Sequence, residues 1–102
     1  MHPAIAQHRA SIADICQRYG IRRLEVFGSA ARGDDFVVES SDADFLVEFE
    51  PNAPPDLRRF YGAKVELEQL LGRGVDLVEP GAVRNPYVLA SINRHREPVY
   101  AA

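Results

Sequence analysis

The chain has 102 residues, of which 46% are hydrophobic and 26% charged, and carries a formal net charge of −3. That length suits one domain, residues 1–102, with a single core, and the acidic balance excludes a basic surface for gripping nucleic acid directly. The sequence's one cysteine, Cys16, excludes an internal disulfide and a thiolate zinc cluster, and with no apolar run of membrane-spanning length and no signal-peptide pattern the expected location is cytoplasmic, away from any membrane.

From Pro3 to Tyr19, residues Ile5, His8, Ile12, Ile15, Cys16 and Tyr19 recur at helical spacing, and Gly20 stops the pattern. On that stripe His8 reads as a boundary residue and Cys16 as a core filler. Ile21 to Phe27 supplies a first strand, with Leu24, Val26 and Phe27 giving it β character. A Gly28-Ser29 step follows, then Ala30, Ala31 and Arg32, a short helix-favouring run. Gly28 permits a sharp turn, and the amides beyond it are the unpaired donors of a helix N-terminus, which suit a phosphate. Between Asp34 and Ser41, residues Phe36 to Val38 either pair as a short edge strand or cover part of a cleft, while Asp34, Asp35 and Glu39 read as solvated loop charges.

Ala43 to Glu50 predicts a second strand, with Asp42, Asp44, Leu46 and Glu48 on one side and Ala43, Phe45, Val47 and Phe49 on the other. If Asp44 faces a cleft, Phe45 and Val47 face the core. Pro51 to Pro55 is a connector. Asp56 can cap a helix whose apolar face is Leu57, Phe60, Tyr61, Leu67, Leu70 and Leu71, ended by Gly72 and Gly74. Val75 to Val78 is a short apolar strand apart from Asp76, a carboxylate that needs a reason if the strand is buried. After a Pro80-Gly81 turn, Asn85 and Pro86 open a last helix running to about Arg96, with Val88, Leu89 and Ile92 inward. Val99 and Tyr100 suit an edge strand.

Asp42 and Asp44, projecting on the same side beside an anion cradle, are a seat for a divalent metal and a polyphosphate. Either motif alone is weak, since Asp-x-Asp is common on surface strands and Gly-Ser is usually a turn. Together they resemble the nucleotidyltransferase signature of the DNA polymerase beta superfamily. Gly28-Ser29-Ala30-Ala31-Arg32-Gly33, Ser41-Asp42-Ala43-Asp44-Phe45-Leu46-Val47, Gly74-Val75-Asp76-Leu77-Val78 and Glu97-Pro98-Val99-Tyr100 resemble its minimal, single-domain branch (MNT), which includes the MntA-like antitoxins that work beside HEPN-domain toxins. The likeness spans Leu24 to Tyr100. One departure is the spacing of Ser29 from Asp42, longer here than the family's usual.

The expected fold is α+β, a small mixed β-sheet with helices packed mainly on one face, of the polymerase-beta type. The resemblance implies two Mg2+ ions with ATP as substrate: Asp42 and Asp44 bridging the metals, and Asp76 binding the metal on the nucleophile side and helping to deprotonate the acceptor. Gly28 and Ser29 then hold the β- and γ-phosphates, and Arg32 either neutralises the polyphosphate or fixes the turn. Arg84, Arg94, His95 and Arg96 form a loose basic cluster, a solvated helix face in the plainer reading and a contact for partner or nucleotide in the sharper one.

Two function classes stand. One is an enzyme that transfers AMP to a hydroxyl, a tyrosine on a HEPN toxin partner, in a homo- or hetero-oligomer that the sequence leaves open. The other is a binding module that masks its partner by contact. Three crowded like charges favour the enzyme, because a module needing only contact gains nothing from them. Modification of a small molecule such as an aminoglycoside fits poorly, since so short a chain leaves no second domain for a substrate pocket.

Overall fold

The helical stripe at the start of the sequence is divided in two. In the computed structural model, which describes residues 3–27, 43–51, 56–82, 84–94 and 96–102, Pro3–Ala6 forms α1 and Arg9–Arg18 forms α2, where one helix is expected. The His8 amide bonds back to the Ile5 carbonyl at 3.0 Å, a tighter turn than an α-helix makes, while its own carbonyl accepts the Ile12 amide and starts α2. Both pieces still bury their apolar residues, Ile5 from α1 and Ile12, Ile15 and Cys16 from α2. Cys16 is a core filler as expected, and burial pushes its thiol up to about 12.

The sheet is built from β1 (Ile21–Phe27), β2 (Ala43–Phe49), β3 (Val75–Val78) and β4 (Glu97–Ala101), in the spatial order β3-β2-β1-β4. β1 runs antiparallel to β2 and β4, whereas β2 and β3 are parallel. Parallel neighbours need a crossover, and α3 (Leu57–Leu71) provides it. A short 3-10 turn, Pro80–Ala82, and α4 (Pro86–Arg94) lead into β4. Strand alternation directs Leu24 and Val26 of β1, Ala43, Phe45 and Val47 of β2, Val75 and Leu77 of β3 and Val99 of β4 into one core. On that face α2 lies against β1, β4 and α3, and α3 lies against β3. The α+β architecture, the mixed sheet and the inward Phe45 and Val47 agree with the sequence reading.

The helix boundaries follow local chemistry. The Asp56 carboxylate accepts the Arg58 amide at 2.9 Å at the start of α3, and the Asn85 side-chain oxygen accepts the Tyr87 amide at 2.9 Å at the start of α4. α4 ends at Arg94, short of the expected Arg96, because the chain must extend to enter β4 at Glu97. α3 also departs from expectation. Ala63 and Leu67 are buried and Phe60, Leu70 and Leu71 partly so, but Leu57 and Tyr61, assigned to the inner face, are 74% and 58% exposed. The buried line follows 60, 63, 67 and 70; Leu57, Tyr61 and Val65 form a second row at i, i+4, i+8 beside it. Gly62 serves close packing, since a Cβ there would stand 2.6 Å from Cε1 of Tyr19.

Gly72 closes α3 in the left-handed region, φ 67° and ψ 30°, with its amide on the Glu68 carbonyl. Nothing lies within 4 Å of a Cβ built there, so a side chain would meet only backbone strain. Gly72→Ala is expected to cost about 1 kcal/mol, a fall in Tm of roughly 4–8 °C. Gly81→Ala, equally open but with no left-handed φ, should leave Tm unchanged or slightly raised. Equal losses in the two variants, measured by thermal melting, would contradict the conformational explanation.

Candidate active site

Asp44 is the second residue of β2 and Asp76 the second of β3, and the parallel register sets them directly opposite one another. The pairing is tied at its start by the Ala43 amide donating to the Gly74 carbonyl at 3.0 Å. Ala43 and Val75 precede the two aspartates and Phe45 and Leu77 follow them, all four buried in the core. Alternation therefore sends both carboxylates to the opposite face of the sheet, on strands about 4.8 Å apart. Like charges so placed repel.

Asp76 is exposed, which corrects one step of the sequence reasoning. The cost of burying a charge does not explain it, because β3 is an edge strand of the described sheet. Its register with Asp44 is what singles it out. Phe27, the last residue of β1, is the antiparallel partner of Asp44, and Gly28 and Ser29 come next in the chain. Gly28, Ser29, Arg32 and Asp42 themselves lie outside the described residues, as does the Asp34–Ser41 segment with its alternative readings. Among the described residues no three acidic, histidine or cysteine side chains gather as a metal site. A concavity of about 370 Å³ lined by Arg22, Glu48, Phe49 and Pro80 sits at the far end of β2 from Asp44.

The same sheet face carries a feature that the sequence reading missed. Glu25 is only 4% exposed, and its β2 partner is Leu46, which makes it a diagonal neighbour of Asp44 at roughly 7–8 Å between Cα atoms. Arg96 grips it as a fork, Nε donating to Oε2 and Nη2 to Oε1, both at 2.8 Å, while Nη1 donates to the Asn93 side-chain oxygen at 2.7 Å. Arg23, two residues away on the same strand, adds a contact of 2.8 Å to Oε1. Hydrogen bonding from Arg96 holds the Glu25 carboxyl below the usual range; burial opposes this, and the charges of Arg96 and Arg23 reinforce it. Arg96 is correspondingly raised by Glu25. Of the late basic cluster, then, Arg96 is neither a solvated helix residue nor a free nucleotide contact: it joins the start of β4 to the middle of β1. A glutamate set between the apolar Leu24 and Val26 in the middle of β1 was the available signal.

Arg96→Ala would leave Glu25 buried with Arg23 alone. The expected loss is about 2–3 kcal/mol by urea denaturation, somewhat below that for a fully buried pair. Arg22→Ala, which removes the exposed pair with Glu48, should cost less than about 1 kcal/mol. Since the folded pKa of Glu25 is depressed, its stabilisation is present above its unfolded value of about 4.3 and is lost as pH falls through the folded value. Wild type and Glu25→Gln should differ most near neutral pH and converge in acid; a gap that widens in acid would contradict the ion-pair account.

The profile of the nucleotidyltransferase domain family matches residues 9–99. Protein adenylyltransferase MntA of Thermococcus cleftensis is 40% identical over 72 residues, 71% of this chain and 69% of the relative. A solved structure named as a candidate minimal nucleotidyltransferase superposes with a TM-score of 0.71 at 36% identity, covering 90% of this chain and 89% of its own. A solved complex of tri-AMPylated Shewanella oneidensis HEPN toxin with MNT antitoxin shares the fold at a TM-score of 0.63 and 14% identity, over 94% of this chain and 71% of the other.

Proposed function

Because the chain belongs to the nucleotidyltransferase domain family, in its minimal branch, we propose that it transfers AMP from ATP to a hydroxyl of a partner protein, a tyrosine on a HEPN-type toxin, and thereby silences that toxin. The observation that carries this is the register of Asp44 with Asp76, two carboxylates facing the same way on adjacent parallel strands. The name of the MntA relative supports adenylyl transfer, and the AMPylated toxin held by an MNT antitoxin supports the partner class.

Magnesium fits this donor set: the ligands are hard carboxylate oxygens, and their mutual repulsion is relieved by a cation. Asp42, Asp44 and Asp76 would hold two ions, which when bound neutralise the polyphosphate and favour both the attacking and the leaving oxygen. The acceptor oxygen bonds to the α-phosphorus, the bond from that phosphorus to the β-bridging oxygen breaks, and pyrophosphate leaves with the electron pair. Asp76 takes the hydroxyl proton. Gly28 and Ser29 hold the β- and γ-phosphates through amides and hydroxyl, and Arg32 balances their charge. Asp76 is exposed, so docking of the acceptor protein, rather than an enclosing pocket, positions the nucleophile.

The test incubates the protein with magnesium, ATP labelled on the α-phosphate and a purified HEPN toxin. Label should appear covalently on the toxin, and Asp76→Asn should suppress transfer by about a hundredfold or more while retaining some nucleotide binding. Ser29→Ala should act more mildly. Should a variant lacking all three aspartates neutralise the toxin as well as wild type, with no label transferred, masking by contact replaces catalysis.

A further inference from the structure

The row of exposed apolar residues on α3 borders a groove of about 340 Å³ lined by Leu57, Phe60, Tyr61, Leu77, Val78 and Glu79. The groove begins one residue beyond Asp76 on β3. From this placement we infer that the acceptor protein docks as an extended segment along the outer edge of β3, seating an apolar side chain in the groove and flanking it with basic residues. The inference rests on the transferase reading for its consequence, though not for its geometry.

Three observations converge on that occupant. First, β3 closes the described sheet on one side and pairs only with β2. The Val75 amide points off that edge, to the Glu68 carboxylate at 3.2 Å. Backbone groups alternate along a strand, so those of Leu77, two residues on, face the same way and can pair with an added strand. The opposite edge suits this less: Pro98 of β4 has no amide hydrogen, and its carbonyl accepts Arg9 Nη2 at 3.4 Å.

Second, the groove is apolar at its floor and acidic at its rim. Glu79 lines it, Asp56 joins Leu57, Phe60 and Glu79 in an adjoining recess, and among the described residues no lysine or arginine lines either. A basic flank on the incoming segment is therefore complementary. A second copy of this chain, seated edge to edge, would instead bring two acidic rims together. Third, a strand advances about 3.3 Å per residue, so a segment anchored beside Leu77 carries its next residues past Asp76. A tyrosine within a few positions of the anchor reaches the catalytic face.

Fluorescent peptides of alternating apolar residues and lysine, carrying one tyrosine, are the probe, with glutamate-for-lysine versions as controls. Binding is read by anisotropy and by backbone-amide NMR shifts. The lysine peptide should move the amides of Leu77 and Val78, and Leu57→Asp or Tyr61→Glu should weaken it by at least about tenfold. Tyr87→Glu, at an 85% exposed aromatic outside the groove, should not. No binding of either peptide, equal binding of the acidic one, or shifts confined to β4 would overturn the proposal. So would sedimentation showing a dimer that Leu57→Asp dissolves, which assigns the groove to a second copy. Stabilisation by magnesium-ATP should be the same in Leu57→Asp as in wild type. Its absence from both, with peptide shifts at β3 intact, would sink the transferase reading and leave the docking edge standing.

Discussion

Everything specific about this chain depends on the parallel pairing of β2 with β3. A parallel pair cannot be closed by a tight turn, so α3 exists as its crossover and must leave and return at fixed points, set by Asp56 at one end and Gly72 at the other. The register is pinned by apolar residues on both strands, Ala43 with Val75 and Phe45 with Leu77. A slip of one residue would turn Asp76 into the core and Leu77 into solvent. The hydrophobic effect, acting on four side chains without chemistry of their own, thus holds two repelling carboxylates side by side.

The same sheet face shows a different solution to the same electrostatic problem. Glu25 is a diagonal neighbour of Asp44, yet it sits in an arginine fork. Both of its oxygens are engaged, and the charge there is cancelled by protein alone. Asp76 remains exposed one strand beyond Asp44. Within one sheet, a carboxylate is thus either neutralised permanently by the fold or kept where a soluble ion or substrate can reach it. The first arrangement contributes stability; under the proposed function, the second gives some up in exchange for reactivity.

What was legible in the sequence was what short-range chemistry determines. Asp56 and Asn85 could be recognised as caps because a cap depends on residues within one turn, and the inward Phe45 and Val47 followed from a period of two. Glu25 could not be read in this way: the arginine that satisfies it is 71 residues away in the chain. Leu57 and Tyr61 were misplaced for a related reason, since periodicity locates an apolar stripe on a helix but not the width of what covers it. Asp76 was singled out by an argument from burial, whereas the property that distinguishes it is a cross-strand neighbour, and edge position is a fact of topology. The Gly28-Ser29 cradle, Arg32 and Asp42 rest on the sequence pattern and the family resemblance, since they lie outside the described residues.

One consequence concerns oxidation. The sequence's single sulfhydryl lies at the centre of the α2 packing, fully enclosed and held protonated far above physiological pH. Thiolate is the form that peroxides and disulfide exchange attack, so changes in cellular redox state have no handle on Cys16 unless the helix first unfolds. For the experimenter the same burial is an opportunity. A cysteine introduced at any exposed position becomes the sole reactive one, and a spectroscopic label can be attached there without first removing the native residue.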